Sequence, residues 1–227
     1  MKKSLARVAV AVLLTILGSY ALGAGALAQN KREELLRRPV KNVKMQADNI
    51  GLALSRFSDQ YDVPIGFEVA TDDDLSITRG ITIDVSDGTL EDVLNSIVNQ
   101  NPVYIWEVRD DVVNIFPRER NRDNLLKKVL ETRLEKISVD TRTTRFTLKQ
   151  TLCENSAVMK LLSLHDVKPA NETVGSRDFG QVGRDFSLVA SDISVVRVLN
   201  RVIADTQTKY WIIMRYGEKK QYLMLNF

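Results

Sequence analysis

The stretch ITIDVSDGTLEDVLNSIVNQNPVYIW (Ile81–Trp106) decides the fold, because FSLVASDISVVRVLNRVIADTQTKYW (Phe186–Trp211) repeats its pattern at a single offset. Ile81, Ile83 and Val85 fall on Phe186, Leu188 and Ala190. Ser86-Asp87 falls on Ser191-Asp192, Val93-Leu94-Asn95 on Val198-Leu199-Asn200, Ile97-Val98 on Val202-Ile203, and Trp106 on Trp211. The same shift carries Pro64 onto Pro169. A repetition of this kind marks one supersecondary unit present twice.

Each unit reads physically. Ile81, Ile83 and Val85 alternate with polar residues, which predicts a strand with one buried face. Thr89 and Asp92 have capping-box spacing, and Leu90, Val93, Leu94, Ile97 and Val98 then form one helical stripe. Asn101-Pro102 ends the helix. Val103–Val108 and Val112–Phe116 read as a hairpin around Arg109-Asp110-Asp111. In the second copy Ser194 takes the cap place, Val195, Val198, Leu199, Val202 and Ile203 the stripe, and Lys209–Arg215 with Tyr222–Phe227 the hairpin.

Working outward, Val43, Met45 and Ala47 predict a strand. Asp48 or Asn49 caps a helix carrying Ile50, Ala53, Leu54, Phe57 and Tyr61, and Val63–Val69 predicts a further strand. In the second copy Thr151 and Glu154 have the spacing of a capping box, and Leu152, Val158, Leu161 and Leu162 follow on the helix. Residues 170–185, with Gly175, Gly180 and Gly183, predict a longer loop. Between the copies, Leu125, Leu126, Val129, Leu130, Leu134 and Ile137 fit a helix, while Val129–Val139 fits a strand equally well. The order favoured is a helix or linker to about residue 128, then a strand.

The expected fold is therefore α+β: two tandem β-α-β-β-α-β-β modules, each a mixed or antiparallel sheet with two helices on one face. The expected boundaries are a signal peptide at 1–28, a flexible segment at 29–39, modules at 40–118 and 129–227, and a linker at 119–128. The signal peptide is read from Lys2, Lys3 and Arg7, the apolar run from Val8, and small-x-small Ala26-Leu27-Ala28 before Gln29. Ala26, Ala28 and Gln29 would flank the cut. The alternative is an inner-membrane anchor over 8–27. Lys2, Lys3 and Arg7 account for the whole formal charge of +3. The exported chain is then near neutral, which argues against nucleic acid as a partner. The Arg118, Arg120, Arg122, Lys127 and Lys128 cluster reads as a solvated run.

No catalytic or metal-binding constellation stands out. Cys153 is the single cysteine and reads as a buried apolar residue. His165 is the single histidine and reads as a helix-end residue, about 18 Å from Cys153 along an unbroken helix. Asp72-Asp73-Asp74 lacks the spacing of a calcium loop. Asn171-Glu172-Thr173 is a formal glycosylation sequon, incidental on the reading of the chain as bacterial. The matched Trp106 and Trp211 could stack on a ligand, but the repeat favours core or half-core residues filling one gap between hairpin and helix. Tyr210, Tyr216 and Tyr222 are the better candidates for an exposed contact surface. No cofactor is expected.

The run ITIDVSDGTLEDVLNSIV leading into VYIWEVRDDVVNIFP resembles the secretin and TonB-receptor short N-terminal domain, and more loosely the small ring-forming domains of secretins. Residues 43–117 carry the resemblance well. Residues 146–227 carry it less well, because the segment after Pro169 has no counterpart of Ile65–Val69. The resemblance implies a periplasmic protein, not an enzyme, that makes protein contacts in a secretion, pilus or TonB-type signalling system. Its partner would be an envelope protein such as a secretin or TonB-system component, and self-association is compatible with the pattern. The expected docking edge is the last strand: Tyr222, Leu223, Met224, Leu225 and Phe227. The alternative reading is an exported hydrolase using carboxylates.

Overall fold

The computed structural model describes residues 32–70, 80–170, 182, 186–217 and 220–227. The signal segment with Ala26, Ala28 and Gln29, Asp72–Asp74, the Asn171 sequon, Gly175, Gly180 and Gly183 lie outside the described residues. Residues 32–36 form a short helical turn whose Leu36 is buried, where a flexible segment was expected.

The chain is a mixed α+β fold. Strand β1 (Pro39–Ala47) is followed by α1 (Ile50–Tyr61), β2 (Ile65–Glu68), β3 (Ile81–Thr89), α2 (Leu90–Gln100), β4 (Tyr104–Arg109) and β5 (Val112–Pro117). A 3-10 turn (Glu119–Asn121) and α3 (Asn124–Glu131) lead into β6 (Arg133–Val139). Then come α4 (Arg145–Cys153), α5 (Ser156–Leu164), β7 (Val167–Pro169), β8 (Leu188–Ser194), α6 (Val195–Asp205), β9 (Tyr210–Tyr216) and β10 (Gln221–Asn226).

Local chemistry explains most boundaries. The Asn49 side chain caps α1 by accepting from the Leu52 N–H at 2.8 Å. Thr89 and Asp92 close the expected capping box on α2. Ser194 stands at the N-cap of α6 without a side-chain bond. The box expected from Thr151 and Glu154 does not form. Thr151 lies inside α4, where its hydroxyl donates to the Thr147 carbonyl. The caps are instead Thr144 for α4 and Asn155 for α5, so the chain breaks at Glu154-Asn155 into two short helices.

The strands do not form one sheet per half. β1 pairs with β3 and β6 with β8, as separate antiparallel ribbons. The remaining strands form one six-stranded sheet in the order β4-β5-β2-β9-β10-β7. The two halves meet where β2 lies parallel to β9. Helices cover opposite faces of this sheet. Ile65, Phe67, Tyr104, Val113 and Ile115 pack in a cluster with α1 and α2, joined by Tyr210, Ile212 and Met214 of β9. Trp211, Ile213, Leu223 and Leu225 pack with α3, α5 and α6. All four residues of β2 are buried, as expected of a parallel strand covered on both sides.

Candidate interaction edge

The hairpin β4–β5 turns through Asp110 (φ 54°) and Asp111 (φ 60°), two consecutive left-handed residues whose twist suits a two-residue turn. The Arg118 N–H donates to the Val103 carbonyl at 2.8 Å, which sets the alternation of the ladder. Val103, Ile105, Glu107 and Arg109 therefore bond toward β5. The backbone N–H and C=O of Trp106 and Val108 point the other way, to the sheet edge. Among the described residues no strand lies beyond β4.

β9 holds the corresponding place in the second hairpin, and its equivalent edge is occupied. The Ile65 N–H donates to the Lys209 carbonyl at 2.8 Å, and the Val69 N–H to the Ile213 carbonyl at 3.0 Å. β2 thus satisfies the edge that carries Trp211 and Ile213. The Trp211 indole lies directly over Gly66: a Cβ built at position 66 would stand 2.2 Å from its Cζ2. The indole Nε1–H donates to Asn200 Oδ1 at 3.0 Å, and Trp106 donates likewise to Asn95 at 3.1 Å. The two tryptophans are held alike, but Trp211 is buried and Trp106 only half-buried.

Ion pairs lock this junction. Arg122 grips Glu68 with contacts of 2.8, 3.0 and 2.6 Å and stacks over Phe116 at 4.9 Å. Arg215 meets Asp123 at 2.8 Å, and Arg197 reaches Asp110 at 3.2 Å. The Asn200 amide also donates to the Arg109 carbonyl at 3.3 Å. The expected solvated run at 118–128 is therefore partly a clamp. Arg122 is mostly buried, Arg118 bonds the Pro102 carbonyl, and Lys127 bonds Glu119.

A cleft of about 260 Å³ opens beside this clamp, lined in part by Glu68, Glu107, Asn114, Glu131 and Trp211. Burial pushes the Glu68 carboxyl above its ordinary value, against the pull of Arg122. Both Glu68 oxygens are held by Arg122, so this carboxylate is engaged in an ion pair at the cleft.

The other sequence candidates fall elsewhere. Cys153 is buried at the end of α4, and burial pushes its thiol up to about 11. His165 is exposed at the end of α5, on a different helix. Tyr210 packs on the α1 side, its hydroxyl donating to the Gly51 carbonyl at 3.4 Å, and burial raises its pKa. Tyr216 and Tyr222 are half-buried neighbours with ring centres 5.7 Å apart. The expected edge, Tyr222, Leu223, Met224, Leu225 and Phe227, is displaced: β10 lies between β9 and β7, and Leu223 and Leu225 are buried. The reason is that β7 pairs parallel to Gln221–Leu223 and covers that part of the side taken to be open.

The contact of Gly66 with Trp211, and the place of Trp106 on the outermost strand, escaped the sequence. The only available signals were a glycine inside an apolar strand and the matched Asn95/Trp106 and Asn200/Trp211 spacings. Among the described residues, no group of three His, Cys, Asp or Glu side chains is placed to hold a metal. Among them too, no helix is long and apolar enough to cross a membrane. Comparison with family models, with curated proteins and with solved structures gave no match.

Proposed function

We propose that the chain is an exported bacterial envelope protein that acts by binding, through strand addition at β4. It is read as two tandem modules like the secretin and TonB-receptor short N-terminal domain. Its partner is an envelope protein of a secretion, pilus or TonB-type signalling system. The module reading draws support from element order, since strand-helix-strand-strand-helix-strand-strand recurs with the first helix of the second set split in two. It draws further support from sheet order, β4-β5-β2 beside β9-β10-β7.

The observation that carries the proposal is the contrast between two equivalent edges. β9 is paired by β2, while β4 presents the outward polar groups of Trp106 and Val108. Such an edge is a template for a further strand. The buried charges support binding rather than catalysis, because Glu68 and Asp123 are spent on Arg122 and Arg215.

The test is photo-crosslinking in the producing bacterium, with the reactive side chain placed at Glu107 beside the edge. A discrete crosslinked envelope protein is expected, in cells whose periplasmic fraction holds a chain beginning at Gln29. No crosslink at Glu107 or at control positions across the surface, or a cytoplasmic chain, refutes the proposal.

A further inference from the structure

We infer that β4 binds a partner segment running parallel to it with a glycine opposite Trp106, in the arrangement that β2 adopts on β9. This rests on the reading of β4 as a docking edge and specifies what docks there.

The template is inside the molecule. On β9 the register sets Ile65 against Tyr210, Gly66 against Trp211, Phe67 against Ile212 and Glu68 against Ile213. Backbone bonds from Ile65 and Val69 fix this register, and the indole of Trp211 fills the space that any side chain at position 66 would need. Position 66 carries no positive φ, so glycine is required there by close approach rather than by backbone conformation. β4 reproduces the receiving half of the arrangement. Trp106 stands where Trp211 stands in the hairpin, its indole is held by Asn95 as Trp211 is by Asn200, and Val108 corresponds to Ile213. A segment of the pattern apolar-Gly-apolar would bond the outward groups of Trp106 and Val108 and cover the half-buried indole.

The occupant is a different protein rather than a second copy. The chain's own apolar-Gly-apolar strand, Ile65–Phe67, is already buried on β9. Among the described residues the opposite sheet edge offers Val167–Pro169 and, past it, Met224–Asn226 of β10; neither stretch holds a glycine.

The probe is a labelled, end-blocked peptide with the sequence of Val63–Val69, titrated into the full chain and read by fluorescence anisotropy. Saturable binding at micromolar concentration is expected, weakened about tenfold or more when the peptide glycine is replaced by valine. The same loss is expected in Trp106→Ala and in Val108→Pro, which removes an outward N–H without touching the β5 ladder. Unchanged far-ultraviolet circular dichroism and urea midpoints verify the fold of both variants. Absence of binding overturns the inference. So does binding indifferent to Trp106 and to the peptide glycine, which would mean exchange with β2 on β9. Trp106-dependent self-association without peptide also overturns it, in favour of a second copy. A crosslinked partner seated on another face would sink this inference together with the β4 docking edge and leave only the binding of an envelope partner standing. Failure of all crosslinking beside a positive peptide titration would do the reverse.

Discussion

Replacing Gly66 with alanine tests the junction between the two halves directly. The new methyl would lie 2.2 Å from Trp211 Cζ2, 2.3 Å from Cε2 and 2.7 Å from Nε1. None of these atoms is the free end of a flexible chain, because the indole is buried and tied to Asn200. Either the ring turns out of its site or β2 moves away from β9. Overpacking of this kind costs about 1–3 kcal/mol. Losing the indole hydrogen bond adds about 0.5–1.5 kcal/mol. Against this, alanine restricts the unfolded chain more than glycine and returns about 0.4–1 kcal/mol. The net expectation is a destabilisation of about 0.5–4 kcal/mol. At about 2–4 °C per kcal/mol for a chain of this size, a mid-range loss lowers Tm by about 5–10 °C. The assay is urea unfolding followed by circular dichroism and tryptophan fluorescence, run as a double-mutant cycle with Trp211→Leu. In the leucine background Gly66→Ala should cost nothing measurable, giving a coupling of about 1 kcal/mol or more. A Gly66→Ala protein as stable as the parent, or additive effects in the cycle, would refute the close approach of Trp211 to Gly66.

Three other outcomes follow from the geometry. Asn200→Ala strands a buried indole N–H and should cost about 1–3 kcal/mol. Asn95→Ala leaves the half-exposed Trp106 N–H to water and should cost less than about 1 kcal/mol; equal losses in urea midpoints would show that the two edges are equally enclosed. Cys153, buried and pushed up to about 11, should resist iodoacetamide at pH 8 in the folded chain and react once urea unfolds it; alkylation of the folded chain at a free-thiol rate contradicts its placement. Glu68 has its carboxyl raised above 4.5 by burial, so the folded chain binds that proton more tightly than the unfolded chain does. Its contribution to stability is fully present below its unfolded value and is lost as pH rises through the raised value. As pH rises from below its ordinary value through the raised one, the parent should therefore lose stability relative to Glu68→Gln, whatever constant cost the variant carries at Arg122. A gap that moves the opposite way would mean that Arg122 outweighs burial.

The elements with a strong local signal were legible. Ile81, Ile83 and Leu90–Ile97 declare a strand and a helix through period and cap, and the structure places them so. The division of the helix after Cys153 was not legible. Thr151 and Glu154 have cap spacing, yet Thr144 and Asn155 supply equivalent caps, and packing of Leu148, Leu152, Val158 and Leu162 decides between them. The site was the least legible part. Parallel pairing of β2 with β9 joins residues far apart in the chain, and no local pattern announces which strand edge will receive another. The alternation that identified β10 as a strand says nothing of its neighbours, so its final position in the chain was a poor guide to its place in the sheet.

The same asymmetry explains how β4, which has no outer neighbour among the described residues, avoids indiscriminate pairing. Edge strands aggregate unless something on them discourages a second strand. β4 carries Glu107 and Arg109, which pair with each other at 2.7 Å on the face away from Trp106 and keep that face charged. On the other face the pinned indole acts as a steric filter. Judged by its counterpart, it leaves no room for a Cβ on the strand that comes alongside. A second β4 strand would bring side chains at every position and meet that obstruction. Charge and ring together reject most strands and leave glycine as the admitted exception, which is specificity achieved by exclusion. Replacing Trp106 with alanine should therefore have two effects: loss of the glycine-bearing peptide, and a new tendency of the chain to self-associate as concentration rises. The second effect, read by sedimentation velocity, separates a filter from a mere contact. A Trp106→Ala chain that loses the peptide and stays monomeric at every concentration would leave Trp106 as a contact alone.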